Sequence, residues 1–197
     1  MGWFGLVELH PWLYPYPMRS ITFVRSLLLA AALAATAVNA AEAPASFKVG
    51  EFTFSRPSSW QWVEPSPPMR KAHLKVAQGG QEAEVIFFFF GPGGGGGTQA
   101  NIDRWLSQFK EPREELKSKT EPGTAGGRKV THVQAEGTYM SGMPGGAKTA
   151  QPNAMLLGAI LESDAGNVFI RMTGPAKLVT ESRAEFRKMI DSAKAGN

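Results

Sequence analysis

The chain has 197 residues, 43% of them apolar and 19% charged, with a formal net charge of +4 and no cysteine. Such proportions belong to a globular protein. The missing cysteine excludes disulfides, thiol catalysis, cysteine-ligated zinc and a lipid-modified N-terminal cysteine. The net charge is mild and its lysines and arginines are scattered, so nucleic acid is not an expected partner.

Residues 18–40 have the make-up of a secretory signal peptide. Arg19 and Arg25 supply positive charge, Leu27 to Ala35 form a short apolar core, and small residues follow to Ala40. The core is shorter than the ~20 residues that a membrane span needs. Cleavage is expected after Ala40 or Ala43. Residues 1–17 carry Pro11, Pro15 and Pro17 and no basic residue, and they read as a spurious extension upstream of a start at Met18. Removing residues 1–40 takes away Arg19, Arg25 and Glu8, which moves the charge from +4 to +3. The expected mature chain, 41–197, is one domain of a periplasmic or secreted protein. No later apolar run is long enough to span a membrane.

Along the mature chain, "FKVGEFTFSRP" (47–57) alternates around Gly50 and predicts two short strands or one bulged strand. Trp60 and Trp62 keep the two-residue period. A proline-rich loop (64–70) precedes "KAHLKVAQ" (71–78), a half-exposed strand, and Gly79–Gly80 marks a hairpin turn. "AEVIFFFF" (83–90) is apolar on both faces, as a central covered strand must be.

After the glycine run comes an amphipathic helix whose apolar face is Ile102, Trp105, Leu106 and Phe109. Thr98 is its expected N-cap and Pro112 its stop. Residues 111–128 read as a mobile connection and 128–140 as a strand. Residues 141–153 read as a long loop, lid-like or disordered. "AMLLGAILE" (154–162) is a second strand apolar on both faces, and "NVFIRMTG" (167–174) is its hairpin partner. Gly174–Pro175 opens a final helix lined by Leu178, Phe186, Met189, Ile190 and Ala193. The fold class is therefore α+β, a mostly antiparallel sheet flanked by two main helices.

"FSRPSSW", "MR" before a strand, "FFFFGPGGGGG" with "ANIDRWLSQF", and "FIRMTGP" near the end resemble a family of uncharacterised secreted bacterial proteins with a PsbP-like fold, after the extrinsic subunit of photosystem II. The resemblance covers most of residues 47–192. It implies an antiparallel sheet sandwiched by helices, in proteins that bind or assist assembly, and it carries over no catalytic residue.

The run Gly93–Gly97 before a helix has the layout of a phosphate loop. It lacks the lysine of G-x-x-x-x-G-K-[ST], and the dinucleotide pattern G-x-G-x-x-G is met trivially by any glycine run. It reads as a flexible loop that holds no nucleotide. Ser107 and Lys110 match a Ser-x-x-Lys pair without its companion motifs. His73 and His132 occupy strand positions expected to face outward, with no carboxylate spacing to make a metal site. No metal or cofactor is expected.

The candidate ligand-binding residues are Arg70, Asn101, Arg104, Gln108, Tyr139 and Arg171. Asn101, Arg104 and Gln108 form a polar stripe beside Trp105, and arginines, amides and an aromatic suit an anionic or polar ligand. The expected function is a non-catalytic extracytoplasmic binding or assembly protein, whose partner is a protein or a small polar or anionic ligand. The alternative is a small hydrolase or transferase with an anion site at the 91–98 glycine loop.

Overall fold

A computed structural model describes residues 43–65, 68–142 and 145–196. The expected upstream extension and signal peptide lie outside the described residues. The sequence from Phe47 to Phe54 makes a hairpin of β1 (Ser46–Val49) and β2 (Phe52–Ser55), and the short β10 (Lys194–Ala195) pairs with β2 to complete a small sheet.

The main sheet contains β3 (Gln61–Val63), β4 (Arg70–Gln78), β5 (Gln81–Phe89), β6 (Lys117–Ala125), β7 (Arg128–Ser141), β8 (Thr149–Leu161) and β9 (Val168–Pro175). Its spatial order is β3-β4-β5-β9-β8-β7-β6, and every pairing is antiparallel. The two strands with apolar residues on both faces, β5 and β8, flank β9 at the centre. Helix α1 (Thr98–Leu106) covers one face; α2 (Ala176–Glu181), α3 (Arg183–Asp191) and the small sheet cover the other.

Strand alternation divides the core. Val85, Phe87, Leu157, Ala159, Ile170 and Met172 point to the small sheet and the terminal helices, where Phe47, Phe54, Phe186 and Ile190 meet them. Phe87 meets Phe47 and Phe54 edge to face, with ring centroids 4.9 and 5.1 Å away. Leu156, Ile160, Phe169, Val133 and Ala135 point the other way, to Ile102, Trp105 and Leu106 of α1. Each fully buried side chain of this size contributes about 1.5–3 kcal/mol by leaving water.

Among the described residues there are three helices where two main ones were expected. The terminal helix is divided at Ser182, whose hydroxyl donates back to the Leu178 carbonyl, and Pro175 ends β9 instead of entering the helix. Residues 111–128 are not a free connection, because β6 runs in unbroken register with β7 from Lys117–Glu136 to Ala125–Arg128. As a largely exposed edge strand, β6 lacks the apolar alternation by which strands are recognised. The long 141–153 loop also shrinks, since β7 extends to Ser141 and β8 begins at Thr149.

Helix α1 is capped by Gly97, not Thr98, and ends before Phe109. Phe109 is buried and lies on an extended segment bridged to Tyr139 of β7. Next to it, the Glu111 carboxylate accepts from the Thr138 backbone N–H at 2.9 Å with both oxygens, at the bulge between Gly137 and Tyr139. That bond ties the chain leaving α1 to the sheet.

Trp105 is 5% exposed, and Gly158 of β8 lies beneath it: a Cβ at position 158 would fall inside the surface of the indole ring. Gly158→Ala should cost about 1–3 kcal/mol by overpacking, and Trp105→Ala about 3–5 kcal/mol by the cavity it leaves. In urea denaturation the double variant should lose less than the sum. Full additivity would show that the indole does not rest on residue 158.

The Thr138 N–H holds the Glu111 carboxyl below its ordinary pKa of 4.5. A depressed folded pKa means that this stabilisation is complete above the unfolded value and is lost as pH falls through the folded one. Glu111→Gln should therefore make the acid-side loss of stability shallower below pH 4.5. Denaturation midpoints taken from about pH 7 to about pH 3 check this, and an unaltered profile would refute it.

Candidate functional site

Helical spacing places Asn101, Arg104 and Gln108 around Trp105, so a helix that buries its indole on the sheet carries these polar side chains along its border. From the sheet, β9 raises Arg171 on the same face, between Phe169 and Thr173. Phe88 of β5 stands beside it, and Phe90 lies just past the end of that strand. Between helix and sheet they leave a groove of about 160 Å³.

The polar groups are cross-braced. Gln108 Oε1 accepts from the Tyr139 hydroxyl at 2.5 Å and from Arg171 Nη1 at 2.8 Å. The Gln108 carbonyl accepts from the Met140 N–H at 2.8 Å, which fixes its backbone to β7 as well. Arg104 Nη1 donates to Asn101 Oδ1 at 2.9 Å. Asn101 is itself buried, and its Nδ2 donates to the carbonyls of Gly95 and Gly97 at 2.9 and 3.0 Å. Arg171 Nε is buried without a hydrogen-bond partner. Among the described residues, neither Arg104 nor Arg171 makes an ion pair with a carboxylate.

Of the six candidates, Asn101, Arg104, Gln108 and Arg171 line the groove and Tyr139 stands behind Gln108. Arg70 opens β4 opposite Phe88 and does not line it. Sequence reasoning missed the aromatic wall. The "FFFF" run read as wholly buried, yet Phe90 is 40% exposed. Its ring is parallel to Phe88 at 6.5 Å between centroids and meets Phe169 at 5.9 Å. The legible signal was its position, the last residue before the glycines.

The glycine loop is tied by hydrogen bonds. Besides the two bonds from Asn101, the Gly94 N–H donates to the Gly91 carbonyl at 3.1 Å. Gly95 has φ +79°, and a Cβ there would come within 2.6 Å of both Phe90 and Phe169. At the helix start, the Thr98 hydroxyl donates to Glu162 Oε1 at 2.8 Å, and Lys129 pairs with the same oxygen at 3.3 Å. A carboxylate of the chain itself thus stands at the first residue of α1, where it repels a phosphate.

His73 and His132 are both buried, against the expectation that they face outward, because both sheet faces are covered. His73 lies 3.6 Å from Glu84, and burial lowers its pKa. Burial lowers that of His132 too, with Arg187 acting in the same direction. Among the described residues, no three His, Asp or Glu side chains converge as metal ligands.

Asn101→Ala would leave two loop carbonyls and Arg104 without their partner. A loss of about 1–3 kcal/mol is expected for the unmade bonds, together with faster amide exchange through residues 91–97. Protection unchanged in that loop would show that Asn101 does not hold it.

No protein-family model and no curated protein matches the chain. Among solved structures it is similar to cyanobacterial PsbP from Synechocystis sp. PCC 6803, at 10% identity and a TM-score of 0.47, covering 79% of this chain and 95% of that one. It is also similar to LpqN, involved in cell envelope biogenesis of Mycobacterium tuberculosis, at 10% identity and a TM-score of 0.46 over 74% of this chain and 83% of that one. A third similar structure, a protein of unknown function from Pseudomonas aeruginosa, is 14% identical, with a TM-score of 0.41 over 75% of this chain and 93% of that one.

Proposed function

We propose that this is a non-catalytic binding protein of the periplasm or extracellular space, and that the groove between α1 and the sheet takes an anionic ligand. The observation that carries the reading is the pair of guanidinium groups, Arg104 and Arg171, bordering one groove with no carboxylate among the described residues paired to either. Arg171 is the half-buried one of the two, and a cation drawn out of water is costly until a counter-charge reaches it. Arginine also suits the task, since its planar fork meets a carboxylate or phosphate with two parallel bonds.

The groove lining supports binding over chemistry. It offers guanidinium and amide groups and aromatic faces, and no histidine, serine or carboxylate to act as nucleophile or base. The glycine loop gives the enzyme alternative no support, because Glu162 occupies the helix start. The extracytoplasmic location rests on the signal-peptide composition of residues 18–40. Among the described residues no helix is long and apolar enough to cross a membrane.

Calorimetric titration with acetate and with inorganic phosphate should show saturable binding by the wild type, weakened at least about tenfold in Arg171→Met, one lost charge-assisted bond being worth that much or more. The variant should be no less stable than wild type, since an apolar residue of similar volume removes an unpaired cation. Binding unaffected by Arg171→Met, or no binding to the wild type, would defeat the proposal.

A further inference from the structure

We infer that the ligand bears its anion on a flat apolar ring, as an aromatic carboxylate does. This rests on the anionic groove proposed above and narrows it to a ligand class.

Size is the first ground. The groove, at about 160 Å³, is smaller than the ~300 Å³ at which pockets for whole small molecules begin. It houses one functional group, and the remainder of the ligand must lie at the mouth. The mouth is aromatic. Phe90 is one of two large apolar side chains that are exposed among the described residues, and it lies against Phe169 and parallel to Phe88.

A single exposed phenylalanine needs no explanation, but this one is buttressed. Gly95 packs against the Phe90 ring so closely that no side chain fits between them, and Asn101 holds the Gly95 carbonyl. The ring is therefore held in place while remaining accessible to solvent. A flat group stacked there loses nothing to ordering of the protein, which is the economy of a preorganised site.

The guanidinium of Arg171 settles the anion. Nη1 is committed to Gln108, and Nε has no partner. The Nε–Nη2 edge is left, the edge that receives two carboxylate oxygens side by side. Arg104, exposed and tethered to Asn101, stands at the same groove as a second cation. The same chemistry is displayed by a free aromatic acid and by a peptide ending in phenylalanine.

The test compares acetate, phenylacetate and a short peptide ending in phenylalanine, free or amidated at its C-terminus, by NMR titration read at the Trp105 indole N–H. Phenylacetate or the free-acid peptide should bind about tenfold or more tightly than acetate, one aromatic contact plus its buried area being worth that much. The tighter of the two identifies the source. Phe90→Ser should erase the preference for the aromatic acid, bringing its affinity down to about that of acetate. Arg104→Gln should weaken acetate and phenylacetate alike. Both substituted side chains are exposed, and a dispersed NMR spectrum verifies the fold of each variant. Acetate bound as tightly as both phenylacetate and the free-acid peptide, or indifference to Phe90→Ser, overturns the aromatic specificity and leaves the anionic groove standing. No binding of any carboxylate by the wild type removes both.

Discussion

The indole of Trp105 can rest against the sheet because residue 158 of β8 has no side chain. That single contact sets the height of α1 above the strands, and much else follows from the height. Leu106 and Ile102 reach Leu156 and Ile160 at that separation. The loop entering the helix must then descend from the end of β5 in few residues, and glycines with their wide backbone range manage it. Asn101, one turn back from Trp105, is brought under the loop and bonds two of its carbonyls. A larger residue at 158 would lift the helix and undo these contacts together.

The same geometry explains how a charged groove exists beside a dry core. Arg171 belongs to the central strand, where neighbours on its own face are Ile86 and Gly158 in register. The missing side chain at 158 leaves room that Trp105 fills, and the indole and Arg171 border the same groove. Gln108 and Tyr139 then orient the arginine through neutral hydrogen bonds and do not neutralise it. Such an arrangement is poor for stability and good for holding a donor set ready. The supporting residues come from a strand, a helix end and a bulged strand, which are stiffer platforms than loops.

The central strands were legible because burial on both faces forces an unbroken apolar run, and both "AEVIFFFF" and "AMLLGAILE" show one. The amphipathic face of α1 was equally plain. The edge strand β6 was not, since a strand solvated on both sides needs no apolar period and its glycine and proline mimic a loop. The split of the terminal helix at Ser182 also escaped, because a serine bonding back to its own backbone leaves no mark on the apolar spacing. At the site, the stripe of Asn101, Arg104 and Gln108 could be read from helical spacing. Its coupling to Arg171, the absence of Arg70 and the exposed Phe90 depend on strand register and on how a glycine loop folds back, which local sequence does not encode.

The seven-stranded sheet ends in two unlike borders. On one, β3 spans three residues. On the other, β6 has Pro122 in the middle of an unbroken ladder, so the missing N–H is not missed by β7 and lies on the outer rim. Lys117 and Lys119 sit along the same rim, and Glu121 is engaged there by Lys119 and Arg187. A rim with a gap in its donors and a row of charges is a poor template for another chain to copy itself onto. In a crowded compartment, where partly folded neighbours carry unpaired strands, this molecule offers them little to extend. Contacts that endure must instead be made by side chains on its faces.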